Sequence, residues 1–333
     1  MNCVTCSSTI KKNSLVQCSQ CNGSLHKDCA IKEDNTIYCD NCYVIMSQEP
    51  KLKNEIVIPP VIRRSYIETY RSCPYKFYRE VILGESPENN SIHAQIGIDL
   101  HDLFGKACLQ SPDYNKENML DEFRPIWNSY DAERFTDFQQ QTELRERAKQ
   151  CIDKFYSIIP TLPRSPYAIE EKLVFAIGDE LPKISTTLDR VDLIDDELEI
   201  TDWKTGKVMV GEKLSTDMQA PLYIYAAKSK YNRPVRKFRF IYLQDGKERI
   251  YNRINNSNQY VCSVKNRDYF IDTDVAIKQT QAIFGRILNG DFNIPQDVKK
   301  MYFTCRMCHL RQQQKCQGAD VQSWYNAQKT STW

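Results

Sequence analysis

The sequence predicts an α/β fold behind a small cysteine-rich module, and three observations predict it. Residues 185–207, STTLDRVDLIDDELEITDWKTGK, hold two runs of alternating apolar and polar residues, Thr186–Ile194 and Glu197–Lys204, joined at Asp195-Asp196. Alternation with period two on both sides of an Asp pair is β-hairpin patterning. Helical periodicity flanks it, in Ser91–Gln110 on one side and Asp272–Leu288 on the other. The first 42 residues carry four paired Cys/His motifs and almost no aliphatic core.

A two-residue hairpin loop sets Asp189 directly opposite Asp202, with Val191 facing Ile200 and Leu193 facing Leu198 on the same side. Side chains alternate along a strand, so Lys204 shares that side and Trp203 points away. An apolar face thus ends in two carboxylates and an ammonium. Like charges buried together are costly unless something positive neutralises them, and a divalent cation does so. A solvated hairpin end with an ordinary Lys–Asp pair is the plainer reading of the same residues.

With 333 residues the chain has room for one large domain and one small one. A net charge of only +2 means that any contact with nucleic acid comes from local basic patches, not from a global field. No apolar run reaches the length of a membrane span, and the N-terminus MNCVTCSS lacks an apolar signal core. The expectation is a cytoplasmic protein with no membrane partner. Fourteen cysteines, most of them in C-x2-C pairs, are metal-site spacing suited to a reducing compartment, not a secreted disulfide scaffold.

In residues 1–46 the ligand candidates are Cys3-x2-Cys6, Cys18-x2-Cys21, His26-x2-Cys29 and Cys39-x2-Cys42. Eight nitrogen and sulfur donors complete two tetrahedral Zn2+ sites, and so short a segment needs metal to fold. The order resembles the cross-brace PHD and RING-like fingers, a treble-clef-like architecture in which ligand pairs alternate between two ions. That resemblance implies Cys3, Cys6, His26 and Cys29 around one zinc, and Cys18, Cys21, Cys39 and Cys42 around the other. A tandem assignment is the alternative. The nine residues between Cys29 and Cys39 are short for a histone-reading PHD finger, and Ile37 stands where those fingers usually place Trp. Closer likeness to short prokaryotic RING-like fingers implies docking of a protein or contact with DNA. Ubiquitin-ligase activity would rest on fold analogy alone.

Residues 47–60, polar and ending in Pro-Pro, read as a linker, which leaves 61–333 as the large domain. It opens with RSYIETYRSCPYKFYREVILG from Arg64, where Ser65 and Glu68 have capping-box spacing. In Ser91–Gln110, Gly97 and His101 lie one turn apart on one helix face; His93 belongs to no motif. Residues 117–159 read as helical, with breaks at Pro112 and near Pro125, and the basic residues of Thr136–Ile158 read as a solvated face. Tyr167–Ile177, Val235–Leu243 and Lys247–Ile254 read as strands. Gln219 and Tyr223 stand at i and i+4 on a helix whose first turn admits Pro221. Cys305-x2-Cys308-x7-Cys316 is a set of three thiolates wanting a fourth, for which Cys73 is the candidate. Cys108, Cys151 and Cys262 read as plain thiols.

LDRVD followed by DWKTGK resembles the RecB-type branch of the PD-(D/E)XK nucleases, whose pattern is roughly G-x-x-D-R-x-D and then D-Y/W-K-T-G; Thr186 replaces the usual Gly. Gly97-x3-His101 and Gln219-x3-Tyr223 are similar to the branch's G-x3-H and Q-x3-Y motifs. The Cys73-Pro-Tyr-Lys-Phe77 and Gly290-Asp-Phe-Asn-Ile-Pro295 stretches are similar to further family phrases. The resemblance spans most of residues 64–316 and implies a restriction-endonuclease-like mixed sheet flanked by helices. It implies Mg2+ or Mn2+ held by His101, Asp189, Asp202 and the Trp203 carbonyl. Lys204 would orient or deprotonate water, or offset transition-state charge. Gln219 and Tyr223 would border the site and position DNA, and Glu170 or Glu171 would add a carboxylate, as in some relatives. In RecB-type and CRISPR-associated relatives one early and three late cysteines hold a [4Fe–4S] cluster. Cys73, Cys305, Cys308 and Cys316 are therefore expected to hold one, with a third structural Zn2+ as the rival.

The implied function is metal-dependent hydrolysis of DNA phosphodiesters by an exonuclease acting on ends or single strands, in a prokaryotic or phage setting. No G-x4-GK[ST] motif is present, so unwinding would need a helicase partner. A recombination or CRISPR partner protein docking on the finger is expected with it. An RNA nuclease, and a DNA-binding adaptor with an inactive nuclease core, are the rival readings. The intact Asp, Asp-x-Lys set argues against the adaptor.

Overall fold

The computed structural model describes residues 2–6, 8–19, 21–33, 36–39, 57–85, 91–110, 113–295, 298–306 and 308–316. The chain divides into two compact units, Met1–Val57 and Ile58–Trp333. The division falls inside the polar Pro-Pro stretch.

In the first unit, β1 (Leu15–Gln17) pairs antiparallel with β2 (Ser24–His26), and β3 (Ile31–Glu33) with β4 (Thr36–Tyr38). Its buried cluster among the described residues is Leu25 with three cysteines, Cys3, Cys18 and Cys39. One leucine is far too little apolar area to hold a unit of this size, so the sulfurs must do more than pack.

The second unit is a mixed sheet with helices on both faces. Its strands are β5 (Val61–Arg63), β6 (Ala168–Phe175), β7 (Lys183–Ile194), β8 (Glu197–Lys204), β9 (Val235–Tyr242), β10 (Lys247–Arg253), β11 (Gln259–Val264) and β12 (Arg267–Asp272). Spatial order runs β12-β11-β10-β9-β8-β7-β5, with β6 also on β7. The helices are α1 (Arg64–Ser72), α2 (Pro74–Phe77), α3 (Ile92–Gln110), α4 (Lys116–Asn128), α5 (Phe138–Ile158), α6 (Lys213–Thr216), α7 (Gln219–Tyr231), α8 (Thr273–Leu288), α9 (Val298–Arg306) and α10 (His309–Gln312). Trp203, Ile241 and Leu243 from the sheet pack into one core with α3, α4 and α5. The opposite face carries Tyr223 edge-on to Phe238, which stacks edge-on with Phe240 in turn.

The central hairpin has the register expected of it: Val191 faces Ile200 and Leu193 faces Leu198 across a two-residue turn whose aspartates both have positive φ. β7 is longer than its partner and is shared unevenly. Along one edge β6 pairs with it from Ile184 to Val191. Along the other, β5 takes Lys183–Ser185 in parallel and β8 takes Arg190–Ile194 antiparallel. Between those two partners the ladder has a gap at residues 186–189, where β8 leaves β7 and continues on β9.

Three local expectations differ. α1 begins at Arg64 directly from β5 with Arg63 as its first cap and no side-chain cap, so Ser65 and Glu68 form no capping box. Glu68 instead pairs with Arg71 at 2.9 Å. The chain enters α1 straight from a strand, which leaves no extended residue at 65 to act as a cap. The helical region 117–159 does not break at Pro125, which lies inside α4; the break is Ser129–Asp137, and α5 starts where Asp137 accepts from the Gln140 N–H at 2.7 Å. β5 itself, three residues after Pro-Pro, has too little pattern to read.

Candidate active site and metal centres

The gap in the β7 ladder is where the site forms. Asp189 is the first residue past the last Arg190–Thr201 pair, and its side chain replaces the missing ladder acceptor: the Trp203 N–H donates to Asp189 Oδ2 at 2.7 Å. Asp202, held in register by β9, is almost fully buried. Its Oδ1 accepts from Gln219 Nε2 at 2.7 Å, and Lys204 Nζ lies 2.6 Å from its Oδ2. Gln219 Oε1 accepts from Lys204 Nζ at 2.8 Å. One amide thus clamps both members of the Asp-x-Lys pair. Gln219 is placed by the start of α7, where the Gln219 and Ala220 N–H groups donate to Asp217 at 3.0 and 3.1 Å. Tyr223, one turn on, is buried with the Arg64 guanidinium 5.8 Å over its ring.

Helix α3 brings the imidazole. His101 Nδ1 lies 3.3 Å from Asp189 Oδ2. Gly97, His101 and Gly105 recur every four residues and so share a face. A methyl group at Gly97 would meet Thr205 Oγ1 at 3.2 Å, and one at Gly105 would meet Glu170 Cγ at 2.7 Å. The two glycines let the Thr205 loop and β6 close on α3 on either side of His101. Glu170 reaches the site from a left-handed backbone, φ +48°, between regular pairs at Ile169–Arg190 and Glu171–Leu188. Such a conformation in a non-glycine residue costs of order 1–3 kcal/mol and persists only where its surroundings enforce it. The ligand atoms of His101, Glu170 and Asp189 lie within 4.8 Å of one another. Glu171 sits near Tyr231 instead. Asp202 is outside that tight trio, turned toward Lys204 and Gln219.

The electrostatics are those of crowded acids. Burial pushes the Asp202 carboxyl up to about 6, against the pull of Lys204 and with Asp189 adding to the rise. Burial and then Asp189 push Glu170 up to about 8. Burial disfavours a charged His101, but the charge and hydrogen bond of Asp189 outweigh it and raise the imidazole to about 9. Burial likewise opposes the Lys204 ammonium, and Asp202 overcomes it, so Lys204 is held above its ordinary value.

A cation fits this set. Glu170 Oε1 is buried without a hydrogen bond among the described residues, and Asp202 Oδ2 has only the Lys204 ammonium, at 2.6 Å. Unpaired buried carboxylate oxygens are costly, and a hard divalent cation with oxygen ligands satisfies them.

The cysteine sets fall into two kinds. In the first unit Cys3, Cys6, His26 and Cys29 form one group with ligand atoms within 4.8 Å, and Cys18, Cys21 and Cys39 form another. That is the interleaved order, not the tandem one; Cys42 lies outside the described residues. His26 Nδ1 is 3.4 Å from Cys6 Sγ and 3.9 Å from Cys29 Sγ. Burial would raise the Cys3 thiol, but the backbone N–H groups of Cys6, His26 and Thr5 hold it down to about 6, favouring thiolate. In the second unit Cys73, Cys305, Cys308 and Cys316 line a single cavity with Met301. Burial, then the charges of the other three thiols, push Cys73 up to about 11 despite the Lys76 N–H it accepts. These four are not among the groups whose ligand atoms come within 4.8 Å of one another.

The sequence pattern of the PD-(D/E)XK nuclease superfamily matches residues 64–313, well over half of the chain. The chain belongs to this superfamily. No curated protein matches it. As a PD-(D/E)XK nuclease it has a nucleic acid as its substrate class, phosphodiester hydrolysis as its chemistry and a divalent metal as its aid. Of the residues singled out from sequence, the fold gathers His101, Asp189, Asp202, Lys204 and Gln219 directly, and Tyr223 through its packing with Arg64. Sequence reasoning missed Gly105 and Arg64, and it left Glu170 and Glu171 undecided. The signal for Gly105 was its spacing, four residues after His101 as Gly97 is four before.

Two predictions follow from this geometry. Gly105→Ala should push Glu170 aside and weaken Mn2+ binding by about tenfold, the scale of losing ligand support, while the fold survives. Calorimetric titration of folded variant protein with Mn2+ checks it; unchanged affinity would show that Glu170 is no ligand. The second concerns pH. His101, Glu170 and Asp202 all hold their protons more tightly folded than unfolded, so the folded state binds more protons between about pH 4 and 9. Stability without added Mg2+ or Mn2+ should therefore fall as pH rises through that window, and saturating Mn2+ should flatten the decline. Thermal melts at stepped pH, with and without Mn2+, measure both slopes.

Proposed function

We propose that the protein is a DNA nuclease of the RecB-type branch, acting as an exonuclease on DNA ends or single strands with Mg2+ or Mn2+. The observation that carries this reading is the Gln219 clamp on Asp202 and Lys204, set beside the His101–Glu170–Asp189 trio. A cation held by those carboxylates and His101 supplies Lewis-acid polarisation of the phosphodiester and a more acidic water. The chain's own part is positional. Asp189 fixes the Trp203 N–H and orients His101, and Gln219 fixes the rotamers of Asp202 and Lys204. Lys204, kept protonated by Asp202, offsets charge on the phosphate instead of serving as a base.

The first unit acts as a finger on two zinc ions, the second completed by Cys42, and offers a docking surface to a helicase, recombination or CRISPR partner. Cys73, Cys305, Cys308 and Cys316 hold a [4Fe–4S] cluster with a structural role. Four thiolates around one Zn2+ at about 2.3 Å would crowd to about 4 Å of one another. Their wider placement around a cavity favours the larger body, with a third structural zinc as the rival. The setting is the cytoplasm of a prokaryotic or phage-infected cell.

Metal-dependent cleavage of labelled DNA tests the central claim. Wild-type protein should degrade single-stranded DNA with Mg2+ or Mn2+, faster than competing RNA, and Asp202→Ala and Lys204→Ala should each lower the rate at least a hundredfold while remaining folded. Wild-type rates in both variants would overturn the assignment, and preference for RNA would replace the substrate. Elemental analysis of anaerobically purified protein should find two zinc and four iron per chain. Cys316→Ser should lose the iron and the brown chromophore; three zinc and no iron would identify the cavity as a zinc clamp.

A further inference from the structure

We infer that the substrate strand leaves the catalytic centre along a groove between α3, α5 and the Thr205–Lys207 loop, where Arg147 and Lys207 grip backbone phosphates. This rests on the nuclease reading of the neighbouring site. The groove encloses about 330 Å³, room for a nucleotide unit at the lower end of ligand-site sizes. It begins where the catalytic strand ends: Lys204 is followed by Thr205, Gly206 and Lys207, which form one wall, and Gly97 on α3 forms part of the other.

Its chemistry matches a phosphodiester strand. The lining contains Arg147, Lys207 and His93 and no carboxylate. The floor is apolar, with Ile96, Leu100 and Leu144, which suits a sugar or base edge. Asp245 accepts from the Val208 N–H at 3.1 Å, and Glu143, which accepts from Gln139 at 3.0 Å, forms only a long 4.0 Å ion pair with Arg147. A second groove on the same helix, between α4 and α5, carries more cations. There Lys116, Arg124 and Lys149 are each paired with a carboxylate while Arg145 has no ion pair among the described residues, Asp153 is part of the lining, and no residue adjoining the catalytic strand lines it. Attraction to phosphate falls to the groove that is free of carboxylate lining and is walled by the residues directly following the catalytic strand.

The test is binding of fluorescein-labelled oligothymidine to the full chain in Ca2+, read by anisotropy across a salt series. Two lost phosphate contacts should lower the slope of log affinity against log salt by about 1.4, at roughly 0.7 per contact on a single strand. Arg147→Ala/Lys207→Ala should also bind at least tenfold more weakly at 0.15 M salt, a concentration of about the physiological level. Arg145→Ala/Lys149→Ala removes the same charge from the other groove and should change neither. Equal affinity and slope for the first pair, or equal losses for both pairs, would overturn the groove assignment. If wild-type protein cleaves DNA while the first pair binds normally, only the groove fails. If the first pair alone loses binding but wild-type protein never cleaves, the groove stands and the nuclease reading fails.

Discussion

Repulsion among buried acids is the constraint around which the large unit is arranged. Asp189, Asp202 and Glu170 converge from three adjacent strands at a point where burial penalises the charges of Glu170 and Asp202. The surroundings answer with fixed partners: the Trp203 N–H and His101 on Asp189, and Lys204 with Gln219 on Asp202. Glu170 receives none among its hydrogen-bonding neighbours, and its Oε1 stays unpaired. Topology makes the convergence available. Because β8 leaves β7 after Arg190, residues 186–189 have a free edge, and a side chain can reach across to a backbone N–H that a regular ladder would have consumed. The cost of this local disorder of pairing is met on the other side of the same strand. Trp203 is fully buried against Phe104 and Phe155, with ring centres 6.5 and 5.1 Å away, so the backbone between Asp202 and Lys204 is anchored by aromatic packing.

The cysteines solve a different problem, that of holding chain ends and small units where apolar area is short. In the first unit the sulfurs are most of the buried cluster. In the second, Cys73 near the beginning and Cys305 near the end share a small cluster with Met301. The same two ends are tied by polar and aromatic contacts as well. Tyr70 donates to the Asp291 carbonyl at 2.6 Å, Arg79 donates to the Lys315 carbonyl at 3.2 Å, and Phe292 stacks on Phe77 and Tyr78. A metal in the cysteine cavity would therefore lock a clasp that the side chains already close, adding loop-closure entropy to packing.

What was legible in the sequence is what rests on period and spacing. The hairpin's register follows from a two-residue turn, and with it the shared face of Asp189, Asp202 and Lys204. Helical spacing put Gly97 with His101 and Gln219 with Tyr223. What was hidden depended on long-range geometry. A strand as short as Val61–Arg63 carries no alternation to detect. The Ser65 and Glu68 spacing meets the capping-box pattern, yet the chain's exit from a parallel strand fixes the helix start two residues earlier. Pro125 looks like a break because local sequence disfavours it, but the helix it belongs to is held by Met119, Phe123 and Trp127 in the core. The choice between Glu170 and Glu171 turns on the pairing of β6 with β7, which sets Glu170 opposite Asp189 and Glu171 opposite Leu188 and which sequence does not display.

Glu170 links this pairing to the chemistry. A regular strand at position 170 would alternate in step with its neighbours, and the pairs on either side of it do keep step with β7. Register sets position 170 opposite Asp189, and the absence of a side chain at Gly105 leaves room for the Glu170 carboxylate. Burial and then Asp189 shift Glu170 upward, and Asp189 shifts His101 upward against burial, so both groups facing that acid hold their protons more tightly. A divalent cation held by these groups would compete with protons for one set of acceptors. Metal affinity in this site would then be coupled to pH by the same crowding that suits these residues to a cation.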